Sequence, residues 1–195
     1  MQFTRTPLTG LFALSVILCY SCTKDKHGEK ITVSPGGELT TNQSMALGEA
    51  VLEAKSSSTI AGNVLFSTIP NGIKVVVNMT GGTPGRHGIH IHEKGDCSAA
   101  DASSAGGHFN PTDSQHSGPD HDVRHAGDLG NILVEEDGTG LLVVEIGNLT
   151  GFSEWNAIRG KSVVIHEKAD DLKTQPAGDS GKRMACGVIR VSDAQ

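Results

Sequence analysis

The sequence predicts an all-β domain of about eight short strands, arranged as an eight-stranded Greek-key barrel or an immunoglobulin-like sandwich. Short runs rich in β-branched residues recur at close spacing, and turn residues separate them. The chain has 195 residues and 25 glycines, but only one Trp and one Tyr. Few long stretches show the apolar periodicity of an amphipathic helix. Together these observations favour a β domain over a helical bundle.

The predicted strands follow one another from residue 50 to residue 191. They cover Ala50–Ala54, Gly62–Thr68, Ile73–Met79, Gly85–Glu93, Leu129–Glu136, Gly140–Ile146, Ser162–Glu167 and Cys186–Val191. Two connections contain the pairs Asn71-Gly72 and Asp137-Gly138, which are typical of tight hairpin turns. Strand and turn therefore alternate through most of the domain.

Two long segments interrupt this alternation. Lys94–Asp128, here called the histidine loop, is rich in Gly, Ser, Asp and His, and Asp170–Arg183, here called the charged loop, carries both signs of charge. Connections of this length without regular structure are usually functional or disordered. The histidines indicate that the first of them is functional.

The N-terminal residues are predicted to direct export. Residues 1–21 combine one Arg, no acidic residue and an apolar run too short to span a bilayer, which is typical of a signal peptide. We expect a lipoprotein-type signal with Cys22 as the lipidated residue. An ordinary signal peptide cut nearby and a simple N-terminal anchor are the alternatives. Residues 22–47 are polar and aperiodic, which predicts a flexible tether to a domain at 48–195.

Charge and cysteine content narrow the function further. The formal net charge of −6 argues against nucleic acid and against anionic membrane surfaces, so the lipid anchor is the only membrane contact that we expect. Cys19 and Cys22 belong to the targeting segment, which leaves Cys97 and Cys186. In an oxidising compartment two remaining thiols most simply form one disulfide, and two separate buried thiols are the alternative.

Eight of the nine histidines fall in two predicted strands and the histidine loop. His90 and His92 are two positions apart in a predicted strand, so both rings project to the same face. Neutral imidazole is a ligand for copper and zinc, and a mixed His and Asp set suits tetrahedral zinc. The chain has no Gly-x-Ser-x-Gly elbow, no phosphate-binding loop and no H-E-x-x-H pair. Metal binding is therefore the predicted chemistry.

Five motifs make the prediction specific. "GIHIHEKGDC", "SAGGHFNP", "RHAGDLGN", "VVIHEKADD" and "RMACGVI" occur in this order. Together they resemble the copper–zinc superoxide dismutase family over roughly residues 50–191. The position of Cys97, five residues after His92, is similar to that in the bacterial branch. The resemblance implies that the two loops are the metal-binding loop and the electrostatic loop of that family.

The resemblance also implies a role for individual residues. The copper ligands would be His90, His92, His108 and His166. The zinc ligands would be His108, His116, His125 and Asp128. One copper and one zinc ion per subunit would share the bridging ring of His108. Asp170 would hydrogen-bond a histidine of each site, Arg183 would lie beside copper, and Cys97 would pair with Cys186.

The implied activity is the dismutation of superoxide anion by a periplasmic or cell-envelope lipoprotein. Lys173 and Lys182 are candidates for adding positive charge near the copper site. His87 and His121 match no ligand, so we expect a structural and an exposed role respectively. A copper-handling or chaperone-like protein and a zinc-bound adhesion domain are the alternatives. The resemblance is compatible with a homodimer and with a monomer.

Overall fold

The computed structural model of the protein describes residues 48–70, 72–147 and 154–191, which lie within one unit at 43–195. The strands are β1 (Gly48–Ala54), β2 (Ala61–Ile69), β3 (Gly72–Thr80), β4 (Gly85–His92), β5 (Asp128–Val134), β6 (Gly140–Gly147), β7 (Ser162–His166), β8 (Arg183–Val188) and β9 (Arg190–Val191). One short helix, α1, covers Glu154–Ile158, and a 3-10 turn covers Ser103–Ala105. The predicted signal peptide, the tether and Cys22 lie outside the described residues.

The strands form one antiparallel sheet that closes on itself. Their order is β2-β3-β6-β5-β4-β7-β8-β1-β9, and β1 also pairs with β2. This additional pairing joins the two ends of the sheet into a barrel. The predicted all-β fold is therefore confirmed. Within the described residues, no helix is long and apolar enough to cross a membrane.

For the last predicted strand, Cys186–Val191, the predicted first residue is wrong. β8 begins at Arg183, which pairs with His166 of β7, and β9 continues as a two-residue strand. Residues 183–185 lack the β-branched side chains that indicate a strand. These residues form a strand because they pair with β7 and β1, and the local sequence does not predict this long-range pairing.

Strand alternation places the hydrophobic core inside the barrel. On β3, Ile73, Val75, Val77 and Met79 are buried, whereas the residues between them face outward and are less buried. Each of these apolar side chains contributes roughly 1.5–3 kcal/mol by leaving water. The barrel therefore provides a rigid support for whatever lies on its outer surface.

β4 differs from the other long strands because it is buried on both faces. His87–His92 are all buried, although a strand at a barrel wall normally exposes every second residue. Ile89 and Ile91 belong to the apolar core, so His90 and His92 project to the opposite face. The two imidazoles are therefore held outside the barrel wall and are covered by further chain.

Candidate metal centre

Two register shifts between paired strands affect the direction of histidine side chains on the barrel wall. The register between β4 and β5 shifts between Gly88 and His90, and that between β7 and β8 shifts between Ile165 and His166. Irregularities of this kind bend a strand and redirect a side chain. Both occur beside a histidine that the sequence assigns to copper.

Four predicted copper ligands lie together. The cluster consists of His90, His92, His108 and His166, whose ligand atoms all lie within 4.8 Å of one another. One nitrogen of each ring is buried without a hydrogen-bond partner: Nδ1 of His90 and Nε2 of the other three. An unpartnered buried polar atom is costly unless it has a ligand. The four nitrogens therefore fit a single copper ion.

The opposite nitrogen of three of these rings has an acceptor. Nε2 of His90 lies 2.8 Å from Oδ2 of Asp170, and Nδ1 of His92 lies 2.9 Å from the carbonyl oxygen of Gly106. Nδ1 of His166 lies 3.4 Å from the carbonyl oxygen of Gly181. Each acceptor holds the ring proton on the nitrogen that it faces. The unpartnered nitrogen of the same ring therefore keeps its lone pair for a metal.

Burial keeps these rings neutral at pH 7. It lowers the pKa of His90 to about 4 and that of His166 to about 2, and it also lowers the pKa of His92 and His108. For His90, the hydrogen bond to Asp170 opposes the effect of burial. Neutral imidazole is the form that binds a metal, so little proton competition is expected at this cluster.

The second cluster contains the four predicted zinc ligands: His108, His116, His125 and Asp128. Oδ1 of Asp128 lies 3.0 Å from Nδ1 of His108, 3.0 Å from Nδ1 of His116 and 3.3 Å from Nδ1 of His125. Nδ1 of His116 has no hydrogen-bond partner despite this short distance. Three nitrogens and one oxygen facing a common point fit a tetrahedral zinc ion.

Hydrogen bonds orient the Asp128 carboxylate. Its Oδ2 accepts from the backbone N–H groups of Ser117 at 3.2 Å and His125 at 3.0 Å, which leaves Oδ1 facing the three rings. Burial raises the pKa of Asp128, but the neighbouring histidines outweigh it and hold the carboxyl well below its usual range. Burial lowers the pKa of His116, yet the neighbouring carboxylates of Asp128 and Asp170 raise it to about 9.

His108 belongs to both clusters. Its Nε2 is the unpartnered atom in the first cluster, and its Nδ1 faces Asp128 in the second. The flanking backbone is fixed to β4, because Phe109 N–H donates to Ile91 at 2.8 Å and Glu93 N–H donates to Gly107 at 2.9 Å. The ring therefore stands between the two predicted sites in a position set by the barrel.

Asp170 connects the clusters from the other side. Its Oδ2 accepts from His90 and its Oδ1 lies 2.9 Å from Nε2 of His116. The Asn131 side chain holds the Asp170 backbone twice, donating to its carbonyl at 2.9 Å and accepting from its N–H at 2.7 Å. The sequence prediction missed Asn131, although a polar residue within the apolar run "LGNILV" is a signal that could have identified it.

Arg183 lies beside the first cluster and is half-buried. Its Nη1 and Nη2 donate to the carbonyl oxygens of Ala102 and Gly106, each at 2.7 Å. The Gly106 oxygen also accepts from His92, so one carbonyl holds both side chains. Burial lowers the pKa of Arg183 and Asp101 opposes this effect. A guanidinium remains charged at neutral pH.

The disulfide between Cys97 and Cys186 is present, with a Cα–Cα distance of 5.7 Å. Cys186 lies on β8, and Cys97 begins the segment that supplies the carbonyl groups for Arg183. The bond therefore attaches this part of the histidine loop to the strand that carries the arginine.

The remaining candidates lie outside both clusters. His87 is buried, with Nδ1 2.8 Å from the carbonyl oxygen of His166 and Nε2 2.8 Å from that of Thr83. His121 is exposed. Lys173 is exposed, and Lys182 lies 3.9 Å from Glu167 with a 72% exposed side chain.

Comparison with known proteins shows the family to which the chain belongs. The sequence profile described as copper/zinc superoxide dismutase (SODC) matches residues 60–189. The chain belongs to the copper/zinc superoxide dismutase family. The matched range contains both loops, both clusters and the disulfide, so the resemblance carried by the five motifs is confirmed.

Two animal superoxide dismutases illustrate the relationship. The chain is 42% identical to the extracellular superoxide dismutase [Cu-Zn] of Drosophila melanogaster over 144 residues, which cover 68% of this chain and 76% of the fly protein. It is 40% identical to the extracellular superoxide dismutase [Cu-Zn] of Caenorhabditis elegans over 141 residues. These cover 69% of this chain and 63% of the nematode protein.

Proposed function

We propose that the protein is a copper- and zinc-dependent superoxide dismutase whose two ions share His108. The overall reaction converts two superoxide anions and two protons into dioxygen and hydrogen peroxide. One observation carries the assignment of residues: His108 presents an unpartnered Nε2 to an all-histidine cluster and Nδ1 to a cluster with a carboxylate. When bound, copper supplies a one-electron redox couple and zinc a redox-inert positive charge.

Arg183 is the proposed substrate-positioning residue. Its fixed cation attracts an anion and offers donors in a fork. The carbonyl groups of Ala102 and Gly106 hold the guanidinium in place, so little ordering is needed when superoxide arrives. A local positive charge can raise the rate of anion capture by about 10–10³-fold even on an acidic protein.

His108 is the proposed proton carrier. The reaction consumes two protons, and Nε2 of His108 is the ring atom that faces the first cluster. This atom can hold one proton and deliver it to the peroxide that leaves. Its Nδ1 stays directed at the second cluster, so the ring returns to the same position after each transfer.

Dismutation by the purified mature chain tests this proposal, alongside its copper and zinc content. We expect one ion of each metal per chain and rapid turnover, and His108→Ala should lose turnover. His121→Ala is the matched control, because His121 lies in the same loop outside both clusters. Copper binding without turnover would instead indicate a copper-handling protein.

We further propose that the protein is exported and anchored to the cell envelope, facing the periplasm, through a lipid on Cys22. The signal-like residues 1–21 support this proposal, and the extracellular naming of the two relatives supports export. Mass spectrometry of the membrane-extracted chain tests it. Cys22→Ser should release the protein from the membrane, whereas Cys19→Ser should not; equal release would refute the assignment.

A homodimer is the assembly that we propose. Leu133 of β5 and Leu141 and Val143 of β6 are 48%, 62% and 52% exposed, which is unusual for neighbouring large apolar side chains. A second copy related by a two-fold axis can cover this face. Sedimentation of the wild type and of Leu141→Lys tests this: we expect a dimer that the charge dissociates, and a monomeric wild type would contradict it.

A further inference from the structure

The charged loop contacts His116 at three points. Its Asp170 carboxylate lies 2.9 Å from Nε2 of the ring. Its Gly178 lies so close that an added Cβ would meet Oδ1 of Asp170 and, at 2.8 Å, Nε2 of His116. The third contact is made by Gln175, whose side chain reaches the backbone of His116 across 59 positions of sequence.

Gln175 satisfies both backbone groups of His116. Its Oε1 accepts from the His116 N–H at 2.8 Å, and its Nε2 donates to the His116 carbonyl at 2.8 Å. His116 lies outside every strand, and in the described part of the chain its backbone bonds only to this side chain. No sheet therefore fixes the backbone of His116, and Gln175 takes that role.

The loop around Gln175 is ordered by its own bonds. The Asp171 carboxylate accepts from the backbone N–H groups of Lys173 at 2.9 Å and Thr174 at 2.8 Å. Gly178 N–H donates to Thr174 at 2.7 Å, and Asp171 N–H donates to Gly178 at 2.9 Å. The amide of Gln175 is consequently presented to His116 by a preformed turn, which lowers the entropy lost on contact.

We propose that Gln175 is a positioning residue for His116 and that it couples zinc binding to docking of the charged loop. The inference rests on the proposed role of His116 as a zinc ligand. Because Nδ1 of His116 must face the same point as Oδ1 of Asp128, a shift of the His116 backbone moves one of four ligands. By linkage, zinc binding favours the docked loop as much as the docked loop favours zinc binding.

Zinc affinity of the full chain, measured by competition with a chromophoric chelator, tests the inference. Gln175→Ala removes both bonds and should weaken zinc binding about tenfold, as loss of a partner behind a metal ligand usually does. Gln175→Glu keeps the acceptor and removes the donor, so its affinity should also fall. Gln115→Ala and Gln115→Glu are matched controls, because Gln115 is exposed, precedes His116 and makes no hydrogen bond within the described residues.

A spectroscopic measurement separates positioning from a general loss of stability. Cobalt(II) in the zinc cluster reports ligand geometry through its visible spectrum, which should change in Gln175→Ala and remain unchanged in Gln115→Ala. Equal affinities and spectra for the two alanine variants would overturn the inference while leaving the function intact. A wild type that binds no zinc would instead refute the proposed function.

Discussion

At the scale of single residues, the unpartnered nitrogens explain why these histidines can bind metals. Five side-chain nitrogens are buried without a hydrogen-bond partner in the described residues, and all five belong to the two clusters. The opposite nitrogen of His90, His92 and His166 has an acceptor that fixes the ring, so the unpartnered nitrogen keeps its lone pair available for a metal.

Replacing Arg183 with Ala should slow superoxide capture by about tenfold or more at low ionic strength, because the focused positive charge is lost. Both metals should remain bound, since Arg183 is in neither cluster. The measurement is kcat/KM as a function of salt, with metal content as a check. Arg159→Ala is the control, because Arg159 is exposed and outside the site. An unchanged rate at low salt would refute the role.

Replacing Asp128 with Ala should cause the protein to lose zinc before it loses copper. The substitution removes the only carboxylate of the second cluster and leaves the four histidines of the first in place. Elemental analysis after dialysis against a chelator measures the loss, and Asp120→Ala, in the same loop and outside both clusters, is the control. Full zinc occupancy in the Asp128 variant would show that another residue completes the site.

Zinc binding should release a proton at neutral pH. The pKa of His116 is raised to about 9, so its ring carries a second proton at pH 7, and a metal must displace this proton. Apparent zinc affinity should therefore fall by about tenfold per unit as pH decreases below 9. Calorimetry in buffers of different ionisation enthalpy measures the released proton, and a pH-independent affinity between pH 6 and 8 would contradict this expectation.

At the scale of structural elements, the sequence predicts the residues of the two clusters better than it predicts the strand registers and hydrogen bonds that hold them in place. The period of two residues along a strand is enough to place His90 and His92 on one face. It does not reveal the register shifts at His90 and His166, because they depend on how β4 and β7 pair with their neighbours. Gln175 and Asn131 were missed for the same reason: their partners are 59 and 39 positions away.

Removing the disulfide should weaken both stability and the arginine site. Cys97 and Cys186 are 89 positions apart, and closing a loop of that length stabilises a domain by roughly 4–5 kcal/mol in the chain-entropy model. The double variant Cys97→Ser and Cys186→Ser should unfold at lower denaturant concentration and bind superoxide more slowly. Equilibrium unfolding by guanidinium measures the change, and an unchanged midpoint would exclude a stabilising role.

At the scale of the whole molecule, the barrel and the two loops contribute different residues to the two clusters. The barrel wall fixes His90, His92 and His166, and the histidine loop supplies His108 and the second cluster. The charged loop then covers His116 and contributes Asp170. The barrel class followed from strand count and spacing, but closure through the pairing of β1 with β2 required the structure.

Anomalous diffraction from crystals of the metal-loaded protein, recorded at the copper and zinc absorption edges, tests the shared ligand most directly. With metal–nitrogen bonds of about 2 Å on each side of one imidazole, we expect two peaks about 6 Å apart. The copper peak should lie beside Nε2 of His108 and the zinc peak beside Nδ1. Two ions with no ligand in common, or a single metal peak in a catalytically active crystal, would contradict the account.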